Sequence, residues 1–391
     1  MKKIIPSLIL GSMIAFQGHA VVDKNFNYHV DRFADIEVLR YEVPEYDRLT
    51  LQQKKYLYYL SQAAQAGRDI IWDQNGRYNL QVRKLLEEIY TNYKGDKSSA
   101  DYKAFETYIK QVWFGNGIYH HYGNDKFVPR FSQSWFDAQV KALPAASLPL
   151  DKGQTPAELT ALMNKVIFDP TFQPKKVNQD ASQDLIATSA VNFYGDDVTQ
   201  QEVEDYFAKL KDPNDATPIS YGLNSKIVKE NGKLKELHYN VAGLYGPAIA
   251  QIIYWLDKAK EVAESDAQKA YISKLIDYYI TGDLRLFDEY SILWAEDTDA
   301  DVDFVNGFIE NYSDPLGMTA SWESYVNFKN MKSCQRTATI SANAQWFEDH
   351  APVDPRFRKP KVKGISAKSI NAAILGGDAF PSTAIGINLP N

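Results

Sequence analysis

The chain has 391 residues, 45% of them hydrophobic and 24% charged, with a mean hydropathy of −0.40. That composition excludes collagen-like, low-complexity and wholly disordered proteins. Its 43 basic and 50 acidic residues leave a net charge of −7, without the basic surplus that phosphate-backbone binding calls for, so nucleic acid is not an expected partner. At roughly 100–200 residues per domain, the length allows two or three lobes with ample core.

The first twenty residues read as an export signal. Lys2 and Lys3 supply a positive start, Ile4 to Phe16 an apolar stretch, and Gly18 and Ala20 the small residues of a cleavage site. The apolar run is too short for a membrane span, and nothing later approaches the roughly 18 apolar residues one needs, so no membrane is expected as a partner. An exported, periplasmic or secreted location is the expectation.

Ile36 to Val43 alternates enough to predict an early strand ended by Pro44. Thr50-x-x-Gln53 is a capping box that opens a helix stopping at Gly67. Further helices are predicted over 79–93 and 101–114, the second followed by a glycine-punctuated loop that carries His120 and His121. Thr155-Pro156-Ala157-Glu158 and Thr199-x-x-Glu202 start two more helices. Asn231-Gly232 sits between an alternating run from Ile219 and a second from Leu234 to Tyr239, which predicts a β-hairpin. From Pro247 to Trp294 the apolar period returns to helix, with breaks near Ser265 and Gly282. The remainder reads as loop-rich with short helices, and Ala384 to Asn391 as a structured segment rather than a frayed tail. The fold class is mostly helical α+β.

Chemistry-bearing patterns are few. Cys334 is the single cysteine, so no intrachain disulfide, cysteine-based zinc site or redox motif is available. None of the six histidines is followed by Glu or has another His four or five residues on, as a zinc-hydrolase helix requires. His120 and His121 are adjacent and project apart, which favours hydrogen bonding over metal ligation. Glu296 to Asp301 resembles a calcium loop only loosely, lacking the Gly at its sixth position and the Glu at its twelfth, so a solvated acidic loop is expected.

A family resemblance is carried by several segments in order. They are Asp31 to Pro44, Gly67-Arg68-Asp69-Ile70, Trp113-Phe114 with His120-His121-Tyr122, Gly307-Phe308-Ile309-Glu310-Asn311-Tyr312-Ser313-Asp314-Pro315-Leu316-Gly317, and Gly386-Ile387-Asn388-Leu389-Pro390-Asn391. Together they resemble the bacterial dipeptidyl peptidase III family, zinc exopeptidases that release dipeptides from the amino ends of oligopeptides.

The resemblance implies two lobes about a wide cleft: a lower lobe with a small β-barrel plus helices, and a helical upper lobe that holds the zinc. On that pattern residues 21–323 form the lower lobe, 324–365 enter the upper one and 366–391 return, with the rest of the upper lobe missing. The zinc-binding His-Glu-x-x-Gly-His and Glu-Glu-x-x-Ala-Glu/Asp helices are expected downstream of Asn391. The resemblance therefore implies zinc in a full-length parent, and neither a zinc site nor catalytic residues in this chain, which is expected to be inactive alone. It implies an oligopeptide substrate whose amino end is held by Asp303, Asn388 and Asn391. The family's eukaryotic members place a Tyr two residues after the carboxylate. Here that position is Val305, with Asn306 next, so Asn306 is the candidate replacement. The alternative function is a non-catalytic exported protein that binds peptides or glycans through its Trp and Tyr residues.

Overall fold

The computed structural model describes residues 26–43, 45–362, 367–381 and 386. The export signal, Asn388 and Asn391 lie outside the described residues.

β1 (His29–Phe33) and β2 (Ile36–Leu39) pair antiparallel. The single strand expected to run on to Val43 is thus a hairpin turned at Ala34 (φ 48°), and its pairing stops at the bond from Arg40 N–H to Tyr28 C=O. The Thr50 capping box forms as expected. Gln53 N–H donates to Thr50 Oγ1 at 3.2 Å and Thr50 N–H to Gln53 Oε1 at 2.9 Å, opening α1 (Leu51–Ala66). After Gly67 come α2 (Arg68–Gln74), α3 (Asn79–Asn92), α4 (Ala100–Phe114), α5 (Gln133–Ala142) and α6 (Pro156–Phe168). They enclose an aromatic core that includes Phe105, Tyr108, Phe131 and Phe136. α7 (Gln200–Leu210) closes a smaller core around Phe193, Phe207 and Ile227. Reciprocal boxes start both α6 and α7.

The hairpin is β3 (Ser225–Glu230) and β4 (Lys233–His238), turned by Asn231 (φ 52°) and Gly232 (φ 73°). Both central residues have positive φ, as the tight turn compatible with strand twist requires. α8 (Gly246–Glu261), α9 (Asp266–Thr281) and α10 (Leu284–Glu296) follow. Ser265 caps α9 through Gln268 N–H, and Gly282 ends it at φ 79°, where the sequence places both breaks.

The stretch after residue 296, expected to be loop-rich, holds the largest sheet. β5 (Val302–Glu310), β6 (Ser321–Lys329), then α11 (Met331–Ala342), α12 (Ala344–Asp349) and finally β7 (Ile370–Gly377) occur in chain order. The three strands pair antiparallel with β6 central. Nearly every residue of β5 and β6 is buried. The polar alternation that marks a half-exposed strand is therefore missing. α1 lies against this sheet: a Cβ on Gly67 would come 2.2 Å from the Trp322 ring, and one on Gly376 would come 3.0 Å from Ala64 C=O. Residues 331–362 contribute no buried side chain.

Among the described residues the sheets have two, two and three strands, and none closes on itself. The small β-barrel expected of the lower lobe is not formed among the described residues, because β5 and β7 each have one strand neighbour there. The mostly helical class with small antiparallel sheets stands. No helix among the described residues is long and apolar enough to cross a membrane.

Candidate functional site

The chemistry gathers on the three-stranded sheet. Asp303 and Asn306 both lie on β5, but three residues apart in a strand means opposite faces. Asp303 is 5% exposed. Its carboxylate accepts from Lys368 Nζ and Trp294 Nε1, both at 2.9 Å, and from its neighbour Phe304 N–H. Burial raises its pKa, and Lys368 opposes that rise. Asn306 is fully buried; its Oδ1 accepts from Tyr279 Oη and its Nδ2 donates to Ser324 Oγ at 3.1 Å. Trp322 Nε1 donates to the same Tyr279 oxygen, so Asn306 sits in a network that joins α9 to the sheet.

A group of carboxylates stands on the Asp303 face. Glu323 of β6 pairs in register with Gly307 of β5 and Gly377 of β7. A bulge between Phe308 and Glu310 sets Glu310 opposite Ser321, which turns Glu310 to the Glu323 face. Asp378 follows β7 directly, its N–H donating to Trp322 C=O. Tyr312, from the β5–β6 connection, donates its hydroxyl to Asp378. Glu323 is 9% exposed. Burial, reinforced by the charges of Asp378 and Glu310, pushes its carboxyl up to about 8. Among the described residues no cation or hydrogen-bond donor touches that carboxylate. Burial also raises Glu310 and Asp378; for Asp378 the Tyr312 hydroxyl and the charge of buried Lys176 pull the other way.

Asp314 shows why the Asp-Pro-Leu-Gly turn is needed. Its buried carboxylate accepts from Tyr194 Oη and Thr319 N–H at 2.7 Å, from Met318 N–H at 2.9 Å and from Leu316 N–H at 3.1 Å. Those four bonds fix the connection that carries Tyr312, so a motif residue without reach to the recess still shapes it.

Sequence reasoning missed Glu323, Asp378 and Tyr312 as a group. The signal available was a lone carboxylate inside the aromatic run Ser321-Trp322-Glu323-Ser324-Tyr325, a placement that costs free energy unless it serves something. His120 serves its own loop: Nδ1 accepts from Gly123 N–H at 2.9 Å and Tyr122 N–H at 3.2 Å, while Nε2 lies 3.6 Å from Asp35. His121 does not project away from it as expected: the loop turns its ring to stack on His120 at 4.5 Å, and burial first, then His120, lowers its pKa. In the acidic loop Asp301 is bound by Arg48, with one contact at 2.7 Å, and Asp297 accepts from Ala300 N–H. Cys334 is half-buried and its thiol faces Ser369 C=O at 3.3 Å. Among the described residues no group of three or more His, Cys, Asp or Glu side chains is disposed to hold a metal ion. The resemblance places zinc in a full-length parent, and the described residues offer no donor set that fits it.

Comparison with known proteins matches the profile "Peptidase family M49" to residues 183–391, more than half of the chain. Dipeptidyl peptidase 3 of Rattus norvegicus is 23% identical over 382 residues, covering 88% of this chain and 50% of the relative. That of Dictyostelium discoideum is 21% identical over 377 residues, covering 91% of this chain and 52% of the relative. The chain thus spans about half the length of the curated relatives it matches. Among solved structures, the dipeptidyl peptidase III of Caldithrix abyssi shares the fold with a TM-score of 0.58 at 17% identity, covering 86% of this chain and 51% of that one. The enzyme from Corallococcus sp. strain EGB gives 0.56 at 18%, covering 89% and 51%. With the motifs of β5 and its following turn inside the matched region, the chain belongs to peptidase family M49, the family of the dipeptidyl peptidase III proteins.

Proposed function

We propose that this chain forms the peptide-holding side of an exported dipeptidyl peptidase III-type exopeptidase that acts on the amino ends of oligopeptides. One observation carries the reading: Glu323, nine-tenths buried, faces Glu310 and Asp378 and, among the described residues, touches no cation. A buried carboxylate without a counter-charge is costly, and a ligand ammonium entering the recess removes that cost. The family pattern assigns the amino end of the peptide to Asp303, Asn388 and Asn391. In this reading Glu323 takes the ammonium, because Asp303 lies four strand residues away with its carboxylate already held by Lys368, and Asn306 behind the sheet holds β5 in place. Hydrolysis in the family pattern is zinc-dependent and uses the His-Glu-x-x-Gly-His helix. That motif does not occur in these 391 residues, so binding without turnover is the behaviour proposed for this chain alone.

Calorimetry with tetra-alanine and with N-acetyl-tetra-alanine tests the reading. The free amine should bind at least about tenfold more tightly, and Glu323→Gln should remove most of that preference. Equal affinity for the two peptides would overturn it.

A further inference from the structure

Two lysines are buried among the described residues, and they are held differently. Lys226 donates its ammonium to Asn192 Oδ1. Lys176 is 7% exposed, and among the described residues its ammonium makes neither a hydrogen bond nor an ion pair. A buried charge without a partner is costly, as it is for Glu323, and the peptide-holding site described above leaves Lys176 unused.

The backbone puts Lys176 beside the carboxylate recess. Its N–H donates to Asn124 C=O at 2.7 Å, and its C=O accepts from Ala190 and Val191 N–H at 3.0 and 3.2 Å. Asn192 N–H donates to Gln74 C=O at 2.9 Å, and the buried Gln74 side chain accepts from Trp322 N–H at 2.8 Å, one residue before Glu323. On the other side, Asn116 Nδ2 donates to Phe380 C=O at 2.7 Å, and the Phe114 ring meets Phe380 and His121 at 5.6 and 5.3 Å. The Asp378 turn is thereby pinned to the loop that flanks Lys176. The charges acting on Glu323 are those of Asp378 and Glu310, and Lys176 acts on Asp378. Asp378 thus stands between an unpaired carboxylate and an unpaired ammonium.

We infer that Lys176 receives the carboxylate of a short zwitterionic peptide whose amine lies on Glu323. The assignment rests on the reading of this recess as a peptide-end site. One such ligand satisfies both buried charges at once. A phosphate or other isolated anion would satisfy Lys176 but meet three carboxylates without offering them a cation. An extended peptide of two or three residues spans about 7–10 Å, enough to reach across one intervening side chain.

The test is calorimetry of the whole chain at pH 7.5 with dialanine, trialanine and their C-terminal amides. Repulsion by Glu310, Glu323 and Asp378 alone would make the amides bind more tightly. With the carboxylate on Lys176, the free acid should bind at least about threefold more tightly than the amide at one length or both. Lys176→Met, with its fold checked by circular dichroism, should lose that preference. Amides that bind within threefold of the acids, or more tightly, at both lengths overturn the inference, whether or not Lys176→Met folds. So does an acid preference that survives in Lys176→Met. Tetra-alanine and its N-acetyl form separate the two claims. Amine preference without acid preference sinks the role of Lys176 alone, and absence of both sinks the recess reading as well.

Discussion

Glu323→Gln keeps the side chain's shape and removes one buried ionisable group. In the folded chain that carboxyl titrates near 8, against an ordinary 4.5, because burial and the neighbouring Asp378 and Glu310 disfavour its charge. Below about 4.5 folded and unfolded chains both hold the proton, and the site has no cost. As pH rises from there toward 8, the unfolded chain releases the proton and the folded chain keeps it, so stability falls. Above 8 the loss is complete. Raising a carboxyl from 4.5 to about 8 corresponds to about 5 kcal/mol, at about 1.36 kcal/mol per pH unit. Structural relaxation and water entry bring the expected gain from the substitution to about 2–5 kcal/mol at pH 9, shrinking to about zero at pH 4.5. Urea denaturation of the parent and Glu323→Gln at pH 5, 7 and 9, followed by Trp fluorescence, measures it. A difference that stays constant with pH to within about 0.5 kcal/mol would refute the reasoning.

Gly67→Ala should destabilise the fold by at least about 2 kcal/mol in the same assay, because the added methyl meets the fully buried Trp322 ring at 2.2–2.5 Å. Trp322 is held by its bond to Tyr279, and the backbone at Gly67 (φ −88°) is unstrained, so wild-type stability in Gly67→Ala would show that the ring can move aside. Lys368→Met should cost about 3–5 kcal/mol at neutral pH by leaving Asp303 buried and unpaired. Its sign follows from a carboxyl raised further above its ordinary 3.8: the loss is greatest above the new folded-state value and fades as acid protonates Asp303. Asp303→Asn combined with Lys368→Met should recover most of the stability at pH 7, and a double variant as unstable as Lys368→Met would sink the ion-pair account.

Local rules made much of the helical frame legible. The boxes at Thr50, Thr155 and Thr199, the Asn231-Gly232 turn and the breaks at Ser265 and Gly282 each satisfy backbone groups or φ angles within a few residues, so no tertiary knowledge was needed to place them. The central sheet was hidden for the opposite reason. β5 and β6 are buried on both faces, which erases the period of two that reveals a strand. Its hydrogen-bond partner β7 lies past α11 and α12, beyond the reach of any local signal.

The candidate site divides along the same line. Residue types and order in the Gly307 to Gly317 stretch carried the family, and the resemblance drew attention to Asp303 and Asn306. Pairing register decided that those two stand on opposite faces, and the bulge before Glu310 decided that Glu310 joins Glu323. The turn after β7 then brought Asp378, 55 residues beyond Glu323, close enough for its charge to raise the Glu323 carboxyl. By itself the sequence determined helix ends, tight turns and family, because those depend on neighbours along the chain. Only the tertiary structure decided which carboxylates share a recess and which already have a cation, because charge and burial act through space.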